Sequence, residues 1–179
     1  MIDIRLIKEL EGFTTKGVVP HVEGSKSGVT VGIGVDLGYL KVHRLPIPEE
    51  LKNKLQPYVG KKGKAAQKAL RAQPLFLAEE EAMMLSQLQL LRYTTFVKNY
   101  WNTNSDVKWS AVPDALQTVV FSVLYQYGRP ARVPKFWAAV TDLNIPGAVN
   151  ELRNFGDSYP TRRNKEADYL EENIGENYA

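Results

Sequence analysis

No cysteine occurs among the 179 residues, so disulfides and thiolate metal centres are excluded. Histidine is nearly as scarce. His21 and His43 are too isolated for a helical zinc motif, and no serine–histidine–aspartate order stands out. No apolar run approaches the roughly 20 residues that span a bilayer. The opening MIDIRLIKELEG mixes Asp3, Glu9 and Glu11 with its apolar residues and does not read as a signal peptide. Nucleotide signatures are missing as well. Gly32-Ile33-Gly34 starts like a dinucleotide fingerprint, but position 37 is Leu and no parallel βαβ pattern surrounds it. No metal or cofactor is expected.

What is present is an ordinary globular composition, 44% hydrophobic and 24% charged, in a chain of single-domain length. The net charge of +3 is unevenly spread. Residues 41–72 hold nine Lys/Arg against Glu49 and Glu50, a local +7. Such a block is either a solvated helix face or a device that steers the protein toward an anionic polymer. Tyr58 is the block's one aromatic, too little for base stacking, so nucleic acid is not the expected partner. Stable membrane insertion is not expected either, and the chain should act as a monomer.

Periodicity divides the chain into segments. Ile4, Leu6, Ile7 and Leu10 predict a short first helix that ends at Glu11-Gly12. From Phe13 to Leu40 Thr, Val and Gly dominate, with turn signals at Lys16-Gly17, Glu23-Gly24 and Ser27-Gly28. This predicts a small, irregular antiparallel sheet. Val29 to Val35 alternates strictly, with Val, Val, Ile and Val on one face and Thr30, Gly32 and Gly34 on the other. A face of small residues admits another backbone or an extended ligand. Helices follow: one from Pro48 to about Pro57, one over 64–72, a long one over 78–101 and a buried one over 115–128. In the long helix Met84, Leu88, Leu91 and Thr95 recur at helical spacing, so the Met pair is expected to be core filler and not a binding surface. Three or four shorter helices complete an α+β chain.

Glu11, Thr30 and Asp36 are the residues with chemical potential. Each has a bland explanation alone: a surface carboxylate, a β-former, a helix N-cap. Together, two carboxyl groups and a water-holding hydroxyl suffice to cut a glycosidic bond without metal.

Glu11-Gly12-Phe13, followed by a short hairpin and Thr30-Val31-Gly32-Ile33-Gly34, resembles the active-site stretch of the phage lysozymes. With Val35-Asp36-Leu37-Gly38 directly behind, it is more similar to the lysozyme domain of pesticin-type bacteriocins and to muramidase domains of some type VI secretion effectors. Phage lysozymes carry their aspartate before the threonine, where this chain has His21, Val22 and Glu23. The pesticin-like pattern places it six residues after, and Asp36 fits. Asp114 to Gly128 resembles the central lysozyme helix, and Tyr159-Pro160-Thr161-Arg162-Arg163 the arginine segment.

The resemblance implies a lysozyme-like fold: a smaller sheet-containing lobe over about 12–75, a helical lobe from 1–11 and 76–179, and an active-site cleft between them. It implies cleavage of the β-1,4 bond between N-acetylmuramic acid and N-acetylglucosamine. Glu11 would be the general acid, with Thr30 and Asp36 holding the attacking water. Gly32 and Gly34 would let the glycan lie on bare backbone, Tyr125 and Gln126 would meet the sugar, and Arg162 would orient Glu11. An acid beside an arginine is in tension, because burial favours the protonated carboxyl and the guanidinium the ionised one. The expected setting is the periplasm, reached by holin-type release or secretion, with an immunity protein as a possible partner. A catalytically inactive peptidoglycan-binding module of the same fold is the alternative.

Overall fold

A computed structural model of the chain describes residues 1–20 and 26–175. The chain forms two compact units, one spanning Glu11–Leu91 and one combining Met1–Leu10 with the chain from Arg92 on. The division falls inside the long helix, not at about residue 75 where the sheet-containing lobe was expected to end.

The Glu11–Leu91 unit holds the sheet. Strands β1 (Thr14–Val18), β2 (Thr30–Gly32) and β3 (Val35–Asp36) lie in that order, antiparallel throughout. Helices α2 (Glu49–Leu55) and α3 (Gly63–Ala72) follow, then the first half of α4 (Glu79–Asn104). Val29, Val31, Val35 and Leu37 pack with Leu51, Leu55, Tyr58, Leu75 and Leu85 in one buried cluster.

Two expectations about this unit need correction. The alternating run 29–35 is not one strand: it folds back at Ile33, pairing Val31 with Val35. Gly32 and Gly34 both adopt positive φ, 58° and 68°, which lets the hairpin close in three residues. The alternation still buries Val29, Val31, Ile33 and Val35, because a tight hairpin keeps one apolar side. What approaches Gly32 is α4. A Cβ there would lie 2.3 Å from Ser86 Oγ and 2.8 Å from the Ala82 carbonyl. Ser86, fully buried, accepts a hydrogen bond from Ile33 N (2.9 Å) and donates to Ala82 O (2.7 Å), tying the hairpin tip to the helix. Gly32→Ala should therefore destabilise the protein by roughly 1–3 kcal/mol, from backbone strain and from a carbonyl that cannot rotate away. An unchanged melting temperature would show that hairpin and helix separate freely.

The second correction concerns α4. Met84 and Leu91 are 38% and 67% exposed, so Met84 is not core filler, although Leu88 between them packs against the core. The buried side of this half runs through Ala82, Leu85 and Ser86. Both stripes are apolar enough to pass for the core, and helical spacing alone cannot choose between them.

The other unit comprises α1 (Ile4–Glu11, whose last residue begins the sheet-containing unit), the second half of α4, α5 (Asp114–Tyr127), α6 (Pro134–Thr141), α7 (Ile145–Arg153) and α8 (Pro160–Asn173). As expected, α5 is the central helix, with every residue from Ala115 to Leu124 buried. Helix α8 packs on α5 and α7. Helix α1 is held by Asp3 N donating to Thr118 Oγ1 (3.0 Å) and by Lys165 Nζ on Glu9 Oε1 (2.5 Å). Among the described residues no helix is long and apolar enough to cross a membrane.

Candidate active site

Glu11 owes its position to helical spacing. It lies four residues after Ile7, which is 1% exposed, so it shares the face by which α1 is buried. Gly12, at φ 75°, then ends the helix. The carboxylate is thereby half-buried at a helix terminus.

Thr30 and Asp36 are brought together by strand register. They are directly opposed on β2 and β3, so their side chains leave the same sheet face with Cβ atoms roughly 5 Å apart. Neither alternation nor composition could set that pairing; the hairpin turn does.

Asp36 is not a helix N-cap. Its Oδ1 accepts from Gly38 N (2.7 Å) and Gly28 N (2.9 Å), and Oδ2 is 3.1 Å from Gly28 N. Two loops are clamped onto one carboxylate. Glycine is required at both because the backbones come so close: a Cβ on Gly28 would lie 2.4 Å from Gly38 N and 2.6 Å from Asp36 Oδ1. The loop joining α2 to α3 is stitched on as well, through Gly60 N to Leu37 O (3.2 Å) and Gly63 N to Ser27 O (2.8 Å). That loop contains Lys62, whose ammonium lies over the Tyr39 ring, 3.4 Å from its centroid. Burial pushes the Asp36 carboxyl above the ordinary carboxylate range; the Gly38 and Gly28 N–H groups and the Lys62 charge oppose this without cancelling it. The rest of the basic block is mostly solvated, with Lys54 paired to Glu81 (2.7 Å) and Lys52 to Glu49 (3.2 Å).

The helical unit holds the other expected residues. Tyr125 stacks on Phe121 (5.3 Å) and meets Tyr93 edge-on (4.9 Å). Gln126 is committed through its carbonyl oxygen, which accepts from Arg163 Nη2. It is therefore not simply a substrate-facing amide, because one of its two polar groups serves the fold. Arg162 Nε donates to Glu166 Oε1 (3.1 Å), and its Nη2 donates to Ser122 O (3.2 Å) and Oγ (3.1 Å).

These contacts belong to a buried ionic cluster that sequence patterning did not reveal. Glu166 is wholly buried and Arg163 is 1% exposed. Glu166 Oε1 also accepts from Ser122 Oγ (2.5 Å), and Oε2 takes Arg163 Nη1. Arg163 Nε donates to Asp157 Oδ2 (2.9 Å), which also receives the Tyr127 hydroxyl (2.6 Å). The Arg163 guanidinium lies over the Phe155 and Tyr127 rings, at 4.7 and 5.4 Å. Burial disfavours its charge, but Glu166 and Asp157 hold it more firmly protonated than a free guanidinium. Burial also opposes ionisation of Asp157, yet the Tyr127 hydroxyl and Arg163 outweigh it and hold that carboxyl below its usual range. Losing one member of such a buried pair typically costs about 3–5 kcal/mol, because the other charge stays buried. One signal was legible: Glu166 stands at i+4 from Arg162 and i+3 from Arg163, both pairing distances on a helix. The contributions of Ser122 and Asp157 had none.

The tract His21-Val22-Glu23, where phage lysozymes carry their aspartate, lies outside the described residues. Among the described residues no group of three or more His, Asp or Glu could hold a metal ion.

No curated protein matches the chain. Residues 1–145 match the family model Pesticin, described as the C-terminal bacterial toxin homologue of phage lysozyme. That match covers the whole of the first 145 positions, including Glu11, Thr30, Asp36 and the central helix, and it agrees with an α+β chain in which a small antiparallel sheet accompanies a mainly helical part. The chain therefore belongs to the Pesticin family of lysozyme-like bacterial toxin domains, which act by degrading peptidoglycan.

Proposed function

We propose that the protein is an N-acetylmuramidase that hydrolyses the β-1,4 bond between N-acetylmuramic acid and N-acetylglucosamine, with inversion at the anomeric carbon. The observation that carries this is the register pairing of Thr30 with Asp36, its carboxylate anchored by backbone N–H groups, in a unit that also begins at Glu11. A carboxylate fixed by its own loops cannot swing away, so it can hold a water while the Thr30 hydroxyl supplies a second contact. Glu11 protonates the leaving glycosidic oxygen, and Asp36 draws the proton from the attacking water or stabilises the charge that develops. Inversion requires the two carboxyl groups to stand roughly 6.5–9.5 Å apart in the working enzyme, leaving space for the water. A covalent intermediate on Asp36 would need about 5–5.5 Å.

Gly34 and the hairpin backbone offer the sugar strand a low wall. The protein acts as a monomer on the periplasmic cell wall after secretion or holin-type release, and an immunity protein covers its active site in the producing cell.

Mass spectrometry of the products from purified peptidoglycan tests this. Muropeptides with reducing N-acetylmuramic acid are expected. Reducing N-acetylglucosamine ends, anhydro-muramic products or binding without release would each overturn the assignment. Proton NMR of the first product anomer separates inversion from retention.

A further inference from the structure

The mechanism leaves the basic block without a role. Residues 51–78 hold seven Lys/Arg and not one Asp or Glu. We propose that the exposed face of α3, together with Phe76, docks reversibly on an anionic phospholipid surface. Every residue involved belongs to the sheet-containing unit, and the proposal does not depend on the muramidase assignment.

Four of the seven cations are engaged elsewhere. Lys52 and Lys54 pair with Glu49 and Glu81, Lys61 Nζ donates to Pro57 O (2.6 Å), and Lys62 lies on Tyr39. That leaves Lys64, Lys68 and Arg71, all exposed and, among the described residues, without an acidic partner. Their spacing of four and three residues puts them in one stripe along α3. The charges do not serve the helix. Lys64 stands in the first turn, where the macrodipole disfavours a cation, and Lys68 repeats the charge four residues on.

The stripe ends at a groove of about 370 Å³ whose lining includes Arg71, Leu70, Lys16 and Phe76. Phe76 is held outward by the fold. Gly17 N donates to Leu75 O (2.9 Å) and Leu77 N to Thr15 O (2.8 Å), so this stretch runs extended along β1. Leu75 and Leu77 are buried, and between them the Phe76 ring is left 58% exposed. Lys16, opposite Phe76 in the bridge, brings its ammonium to 5.8 Å from the ring centroid. Charge alone would suit any polyanion; the fixed ring selects lipid. A hydrated phosphate polymer offers such a ring no apolar medium. The boundary between headgroups and acyl chains takes in an aromatic side chain while lipid phosphates meet the cations around it.

The test is sedimentation of the whole chain with vesicles of phosphatidylglycerol and phosphatidylcholine in equal parts, against vesicles of phosphatidylcholine alone. Association is expected with the anionic vesicles only, and it should weaken as salt is added. The triple variant Lys64→Gln, Lys68→Gln, Arg71→Gln should bind about 100-fold more weakly, at roughly fivefold for each cation near such a surface. Phe76→Ser should cost about 10-fold, the effect of withdrawing one apolar ring from the lipid. All four side chains are exposed, so the melting temperature and the hydrolysis of soluble peptidoglycan fragments should stay as in the native protein. No association with anionic vesicles, or equal association with neutral ones, would overturn the proposal. Should Phe76→Ser bind as tightly as the native chain, or soluble polyphosphate be bound as tightly as vesicles of equal phosphate content, the face is a general polyanion site and the lipid assignment fails. An active muramidase that ignores vesicles sinks this inference alone; a chain that binds vesicles and hydrolyses nothing sinks only the muramidase assignment.

Discussion

Glu11→Gln is expected to reduce peptidoglycan hydrolysis by at least 10²- to 10⁴-fold, the contribution of a positioned general acid, and in practice to abolish visible lysis. The amide cannot protonate a glycosidic oxygen, yet it has nearly the volume and hydrogen-bonding reach of the carboxyl it replaces. The surroundings predict that the fold survives. Helix α1 is anchored by Leu6 and Ile7, by Asp3 N on Thr118 and by the Glu9–Lys165 pair, and none of these depends on a charge at position 11. The helix ends because Gly12 adopts a positive φ, which the substitution leaves untouched. Circular dichroism and the melting temperature should match the native protein to within a few degrees, so that lost activity is lost chemistry. Turnover within tenfold of native would remove Glu11 from the mechanism.

Asp36→Asn should separate activity from stability in opposite directions. Activity should fall by about 10²- to 10⁴-fold, because an amide neither accepts the water's proton nor stabilises a developing positive charge. Stability should hold or rise. The amide oxygen can still accept from Gly28 N and Gly38 N, as Oδ1 does now. Burial is the largest influence on the Asp36 carboxyl and raises its folded-state pKa. A raised pKa means that the contribution of this group to stability is fully present below its unfolded value, near pH 4, and is lost as pH climbs through the folded value. At neutral pH the folded protein therefore carries a carboxylate charge that the unfolded chain hydrates more cheaply, and Asn removes that penalty. The expected result is a melting temperature at pH 7 equal to or above native, with the advantage vanishing below about pH 4. A melting temperature several degrees lower at pH 7 would mean that the charge-assisted bonds from Gly28 and Gly38 outweigh the cost of burial. Asp36 would then be first a loop clamp. Acidification also weakens the helical unit by the opposite route: the depressed pKa of Asp157 gives stability present above its unfolded value and lost as pH falls through the folded one.

Much of this protein was legible from residue order. Glu11-Gly12 marks a helix end because glycine tolerates the left-handed turn that other residues avoid. The run of apolar residues from Ala115 to Leu124 announces a central helix, since no other placement removes all sides from water. Residue chemistry and the resemblance to a lysozyme active-site stretch brought Glu11, Thr30 and Asp36 to notice, whereas the hairpin that pairs Thr30 with Asp36 was hidden by the strict alternation of 29–35.

Tertiary structure alone decided the rest. Which apolar stripe of α4 is buried depends on where the hairpin lands, and Ser86, not Met84, receives it. The missing side chain of Gly32 makes room for a helix carbonyl, a contact 50 residues away in sequence that no window of neighbours contains. Two consecutive arginines look equivalent as letters. They diverge only when α5 supplies Ser122 and the loop before α8 supplies Asp157, because the cost of burying charge is settled by whichever partners converge in space.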